Sequence, residues 1–213
     1  MSDAKLASIS PIAPAAAPAL PPKVAIADTF GNPAPLGLLC FGLTTVLLSS
    51  HNAGVIPLDG AIIAMAIFYG GLAQIVAGIL EWWKGNTFAS TAFISYGSFW
   101  LSIAGIILLP KLNLAEKPSG TAMAAFLGLW GLISFIFFIG TLRLNRALQI
   151  VFFLLTVAFA LLAVGDLTGN ALLTKLGGWE GIVLGFAAMY TGLAQVLKEV
   201  YGRVVWPLGP VQK

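Results

Sequence analysis

From residue 35 onward the chain alternates long apolar runs with short polar segments, and the length of the runs constrains the fold more than any other feature. They cover residues 35–52, 58–80, 92–109, 121–142, 147–165 and 179–197. A helix needs about 20 mostly apolar residues to cross about 30 Å of hydrocarbon. None of the runs carries Asp, Glu, Lys or Arg in its middle, and Glu180 stands at the start of the sixth. The segments between them hold the turn and charge signals: Pro57 and Asp59, then residues 81–86, 111–120, 143–146 and 166–175. The expected fold is therefore all-α, a polytopic membrane protein with six transmembrane helices in a bundle.

Composition agrees. Of 213 residues, 59% are apolar and 9% charged, against roughly 45–50% and about 25% in soluble domains. So few charges cannot cover the surface of a soluble globule, but they suit the ends of membrane helices. This excludes a soluble enzyme, a nucleic-acid-binding domain and a disordered protein. The net charge of +3 does not point to nucleic acid, because the basic residues form no patch. One cysteine, Cys40, and one histidine, His51, allow neither an internal disulfide nor a Cys/His zinc site. No metal or cofactor is expected.

Residues 1–31 read as a disordered Ala/Pro-rich tail, because Pro11, Pro14, Pro18, Pro21 and Pro22 interrupt any apolar segment. Residues 32–201 form the membrane domain and 202–213 a C-terminal tail. With six crossings, Lys5, Lys23, Lys84, Arg143, Arg146, Lys198, Arg203 and Lys213 share one side of the bilayer. Only Lys111, Lys117 and Lys175 face the other. That bias puts both termini in the cytoplasm. Trp82, Trp83, Trp100, Trp179 and Trp206 read as an interfacial aromatic belt.

Many of the 24 glycines fall within the spans. Gly181, Gly185, Ala188 and Gly192 make a small-residue stripe in the sixth run, and Gly70, Ala73 and Ala77 make one in the second. Stripes of this kind let helices approach closely where lipid supplies no hydrophobic drive. There is also one internal echo: residues 69–74, Tyr-Gly-Gly-Leu-Ala-Gln, against residues 190–195, Tyr-Thr-Gly-Leu-Ala-Gln.

Nothing at membrane depth makes a nucleophile with its base, a carboxylate pair or a metal site, so an enzyme is not expected. The absence of embedded charges also argues against a pump built on buried carboxylates. Neutral polar groups remain at depth: Thr44, Thr45, Gln74, Ser95, Tyr96, Ser98, Ser102 and Thr156. Such groups can give a small polar solute hydrogen bonds without trapping it. At the start of the first run, Asn32 followed by Pro33 reads as a helix N-cap and first-turn proline. The N–H groups freed there attract a carboxylate.

Residues 32–38, Asn-Pro-Ala-Pro-Leu-Gly-Leu, followed by Phe41, resemble the signature of the acetate uptake transporter family, the succinate–acetate permeases. The likeness continues through Thr44-Thr45, His51-Asn52, residues 68–71, 85–88 and 95–100, and residues 154–157. It covers essentially everything after the tail. The resemblance implies proton-linked uptake of acetate and related small carboxylates through a pore in each subunit, a homohexamer, and a cell (inner) membrane location. It implies that Phe41, Tyr96 and Leu155 form a narrow mid-pore constriction, with Ala188 beside it. Asn32, Pro33, Thr44, Gln74, Ser98 and Thr156 are the other expected pathway residues, and Tyr96 the expected hydrogen-bond donor to the solute. The alternatives are a passive channel for a neutral solute such as urea or ammonia, and a membrane scaffold that transports nothing. Flux that ignores pH marks the first, and absence of flux the second.

Overall fold

The computed structural model describes residues 30–211, so the expected Ala/Pro tail lies outside the described residues. Among them are six helices long and apolar enough to span a membrane: α1 (Ala34–Asn52), α2 (Gly60–Trp83), α3 (Thr87–Lys111), α4 (Gly120–Thr141), α5 (Arg146–Thr168) and α6 (Ala171–Tyr201). The chain is a multi-pass membrane protein of the expected all-α class.

Every helix start is marked by a short polar side chain that accepts a backbone N–H left free by the first turn. Asp59 accepts from Ala61, Asn86 from Ala89, Ser119 from Ala122, Asn145 from Leu148 and Asn170 from Leu172. At α1 the N-cap position is Pro33, and Asn32 before it accepts from the amide of Ala34 at 3.1 Å. These caps correct two expected bounds. The third span begins at Thr87 rather than residue 92, and the sixth at Ala171 rather than 179. The expected connection at 166–175 shrinks to Gly169, which ends α5 at φ +64°, and Asn170, which starts α6. Hydropathy marks only the stretch a bilayer rewards, whereas hydrogen bonding carries a helix on through its polar end turns. Glu180 consequently stands well inside α6, not at its start.

Close packing comes from glycine. The stripe on α6 lies on α1 in antiparallel register: Gly178 against Ala53, Gly181 against Ser49, Gly185 against Gly42 and Val46, Gly192 against Pro35 and Leu38. A Cβ on Gly185 would stand 2.7 Å from the carbonyl oxygen of Gly42. On the other flank α2 meets α3 through Gly71 and Gly78, which face Leu101 and Ile94, and through Gly97, which faces Ile75. The middle of α2, Met65–Ala73, is wound as a π-helix, a feature that often occurs at functional sites.

Neighbours pack as α3–α2–α1–α6–α5–α4, and aromatic side chains carry α4 back to α3. Phe99 of α3 meets Trp130 of α4 with ring centroids 5.2 Å apart, and Phe126 at 5.7 Å. The ring of helices thus closes around a core of Phe41, Tyr96, Phe99, Trp100, Phe152, Leu155 and Phe159. Trp100, expected in the interfacial belt, is buried here at the middle of α3. Trp82 and Trp83 are exposed at the end of α2, as a belt requires, while Trp179, also exposed, lies eight residues past the start of α6.

The segment after α6 does not trail away. Gly202 ends the helix at φ +63°, and the chain folds back so that the carbonyls of Leu208 and Gly209 accept the first N–H groups of α5, from Ala147 and Arg146. Trp206 stacks on Tyr190 at 5.3 Å, and the Tyr190 hydroxyl donates to the Pro207 carbonyl at 2.9 Å.

Candidate functional site

A cavity of about 510 Å³ opens at the end of the bundle where α1 starts and α6 finishes. Asn32, Glu81, Asn86, Asn145, Gln195 and Lys198 line its mouth, and Phe41, Gln74, Tyr96 and Leu155 its inner end. At about 1.5 Å per residue, Phe41 lies about 10 Å from the start of α1, and Tyr96 and Leu155 about 13 Å from the starts of α3 and α5. The vestibule therefore stops near mid-membrane, at the three residues expected to form the constriction.

These residues pack in one buried apolar cluster. The rings of Phe41 and Tyr96 are 5.8 Å apart, and Phe152, one turn before Leu155, lies 6.2 Å from Tyr96. Ala188, fully buried on α6, belongs to the same cluster. The Tyr96 hydroxyl lies 2.9 Å from Ser134 Oγ, and Ser134 donates its single proton to the Trp130 carbonyl at 2.7 Å. Tyr96 is accordingly the donor to Ser134. That contradicts the expectation that its proton serves the solute: the bond holds the ring in place instead.

The available polar groups are elsewhere. Thr44 (0% exposed), Gln74 (1%) and Trp100 (3%) each bury a polar atom, Oγ1, Oε1 and Nε1, that has no hydrogen-bond partner among the described residues. Gly70 makes their approach feasible, since a Cβ there would stand 2.8 Å from Thr44 Oγ1 and 2.9 Å from the Trp100 ring. Gln74 follows Gly70 by one turn of α2 and lines the vestibule. An unpaired buried group costs roughly 1–3 kcal/mol, so this site favours a guest that supplies partners. Trp100 and Thr44, which do not line the vestibule, offer donors, and Gln74, which does, an acceptor. Sequence reasoning found Thr44 and Gln74 but missed Trp100. Its place at the middle of an apolar run, away from either interface, was the available signal.

The remaining expected residues divide. Asn32 lines the mouth and ties two helices, its Nδ2 donating to Gln195 Oε1 at 3.0 Å. Pro33 is buried at the start of α1. Ser98 is exposed on the outer side of α3, and its hydroxyl donates to the Ile94 carbonyl at 2.8 Å. Thr156 likewise turns back to the Phe152 carbonyl of its own helix at 2.8 Å. Neither lines the vestibule. His51 closes its own loop through Nδ1, which donates to the Ile56 carbonyl at 3.2 Å. The two halves of the internal echo end on Gln74 and Gln195, and both line the vestibule. Four carboxylates fall within the helices, contrary to expectation: Glu81, whose Oε2 accepts from Asn86 at 2.8 Å, Asp166 and Glu199 near helix ends, and Glu180 farther inside α6. Among the described residues no group of His, Cys, Asp and Glu could hold a metal ion.

Asn32→Ala is expected to cost about 1 kcal/mol through the lost helix-start bond and to leave Gln195 without its donor. Solute uptake should fall more than the amount of inserted protein, with the thermal midpoint measuring the structural share. Equal losses would reduce Asn32 to a structural cap.

Comparison with known proteins accords with this geometry. The chain is 54% identical over 178 residues to the succinate-acetate/proton symporter SatP of Escherichia coli K12, covering 84% of this chain and 95% of that protein. It is 39% identical over 175 residues to the ammonia transport outward protein 2 of Saccharomyces cerevisiae, covering 78% of this chain and 62% of the yeast protein. Among solved structures, that of the bacterial acetate channel SatP matches with a TM-score of 0.83 at 54% identity, over 84% of this chain and 99% of that one. The model of the GPR1/FUN34/yaaH family matches residues 16–211.

Proposed function

Because the chain belongs to the GPR1/FUN34/yaaH family, we propose that it transports acetate and other small carboxylates across a cell (inner) membrane, linked to protons, with both termini in the cytoplasm. The observation that carries this reading is the vestibule that ends on the Phe41–Tyr96–Leu155 collar, with the unpartnered atoms of Thr44, Gln74 and Trp100 buried close by. Lys198 at the mouth supplies positive charge toward an anion, although Glu81 and Glu199 beside it moderate that field. A carboxylate must shed its water to pass an apolar collar, which is costly while it is charged and far less so once it is protonated. Trp100 and Thr44 then donate to its carbonyl side, and Gln74 accepts its O–H.

The expected assembly is a homohexamer. The α6 stripe is used inside the chain against α1, and Gly70 of the α2 stripe against Thr44 and Trp100, so neighbouring copies meet through other faces. A stable and active monomer in native mass spectrometry would argue against the hexamer.

Uptake of radiolabelled acetate into proteoliposomes tests the transport reading. An imposed inward proton gradient should accelerate it, and unlabelled succinate should compete. Flux of ammonia or urea indifferent to pH, without acetate uptake, would replace this reading with a neutral-solute channel. No flux of any solute would leave a scaffold.

A further inference from the structure

We propose that Glu180 is a proton-binding site in the wall of the path, on the opposite side of the collar from the vestibule; the role rests on the carboxylate-transport reading above. Glu180 follows Gly177 by three residues and precedes Leu184 by four and Ala188 by eight, so all four share one face of α6. That face looks into the bundle. Gly177 lies against Leu161 and Leu162 of α5, while Leu184 and Ala188 are buried in the cluster that holds Phe41, Tyr96 and Leu155. Eight residues of helix put Glu180 about 12 Å beyond the collar. Both of its carboxylate oxygens are buried, and neither has a hydrogen-bond partner among the described residues.

A carboxylate held for structure alone is met by donors; among the described residues none bonds to this one. Two elements pack against α6, and neither supplies a counter-charge. From α1 the residue at this level is Ser49, against Gly181, and the titratable group is His51, whose Nδ1 is engaged by Ile56. From α5 it is Asp166, one turn past Leu162. On α6 itself Lys175 lies over Gly54, its Cε 3.8 Å from where a Cβ there would stand. None of the three forms a hydrogen bond with Glu180. A lone buried charge is far costlier than a neutral carboxyl, so the pocket favours binding a proton over holding an anion.

The cycle balances without any other reactant. A proton from water on the side away from the vestibule binds one Glu180 oxygen. An arriving carboxylate takes that proton, the Glu180 O–H bond breaking as the substrate O–H forms. The neutral acid crosses the collar and releases the proton into vestibule water. Glu180, left as the anion, is recharged from the side where it began, so one proton travels with each carboxylate.

Infrared difference spectra of the purified protein, taken between acidic and alkaline buffer, should contain a protonated-carboxyl band that Glu180→Gln loses. In proteoliposomes the same variant, normalised to inserted protein, should lose most of the stimulation of acetate uptake by an inward proton gradient. Glu180→Leu should melt no lower than the wild type, because it removes a polar group that has no partner. An unchanged infrared band, undiminished stimulation in Glu180→Gln, or a lower melting temperature in Glu180→Leu each overturns the assignment. If the wild type takes up no acetate, the transport reading fails by itself, and the infrared band still decides whether Glu180 binds a proton.

Discussion

Replacing Leu155 with alanine is expected to let lactate through while acetate still passes. Leu155 closes one side of a collar whose other walls are the rings of Phe41 and Tyr96, and it is 4% exposed. No charged side chain belongs to this cluster, so on the transport reading proposed above width and dehydration discriminate there. Leu155→Ala removes three carbons, and one methylene in an apolar pocket already changes discrimination about 10-fold or more. The ratio of lactate to acetate uptake should therefore rise by at least about 10-fold. Truncating this buried leucine also costs about 2–5 kcal/mol of stability, so uptake is normalised to folded protein in the membrane. Tyr96→Phe is the control. It keeps the width and removes only the hydroxyl bonded to Ser134, so it should lower stability by about 1 kcal/mol without admitting lactate. An unchanged ratio in Leu155→Ala would place the narrow point elsewhere.

The second large effect is on folding. Gly185→Leu should abolish the folded protein, whereas Gly128→Ala should leave the yield unchanged. A Cβ on Gly185 would stand 2.6 Å from Val46 Cγ2 and 2.7 Å from the Gly42 carbonyl oxygen, and the backbone at Gly42 cannot yield unless α1 and α6 separate. Overpacking of ordinary cores costs roughly 1–3 kcal/mol, and here it also opens the most closely packed seam in the bundle. Around Gly128 no atom of the chain lies within 4 Å of an added Cβ. Size-exclusion profiles and thermal midpoints in detergent check both variants. A well-folded Gly185→Leu protein would mean that this seam can open without unfolding the bundle.

How far the sequence could be read depended on whether a property was local. Crossing a bilayer is a sum over about 20 consecutive residues, so the apolar runs sufficed for the number of spans and the fold class. Caps are local too: Asp59, Asn86, Ser119, Asn145 and Asn170 each sit where a helix starts, and reading them alongside hydropathy would have lengthened the third and sixth spans. The signature at residues 32–38 brought Phe41, Tyr96 and Leu155 forward as a set, and they do line one cavity.

Which way a side chain faces is another matter. In a soluble helix the polar side marks solvent and the apolar side marks the core. In a membrane both the lipid and the bundle interior are apolar, so that contrast disappears. Ser98 and Thr44 look alike in the sequence, yet Ser98 is exposed on the outer side of α3 and Thr44 is fully buried beside Gly70. Gly128 and Gly185 are equally indistinguishable until the second is found against a carbonyl oxygen. Glu180 reads as the edge of a span until the cap at Asn170 puts it inside one. The sequence by itself determined how many helices cross and what they are made of. Only the tertiary structure decided which faces meet, because in lipid that choice rests on shape and on partners from distant helices, and neither is written in any single run.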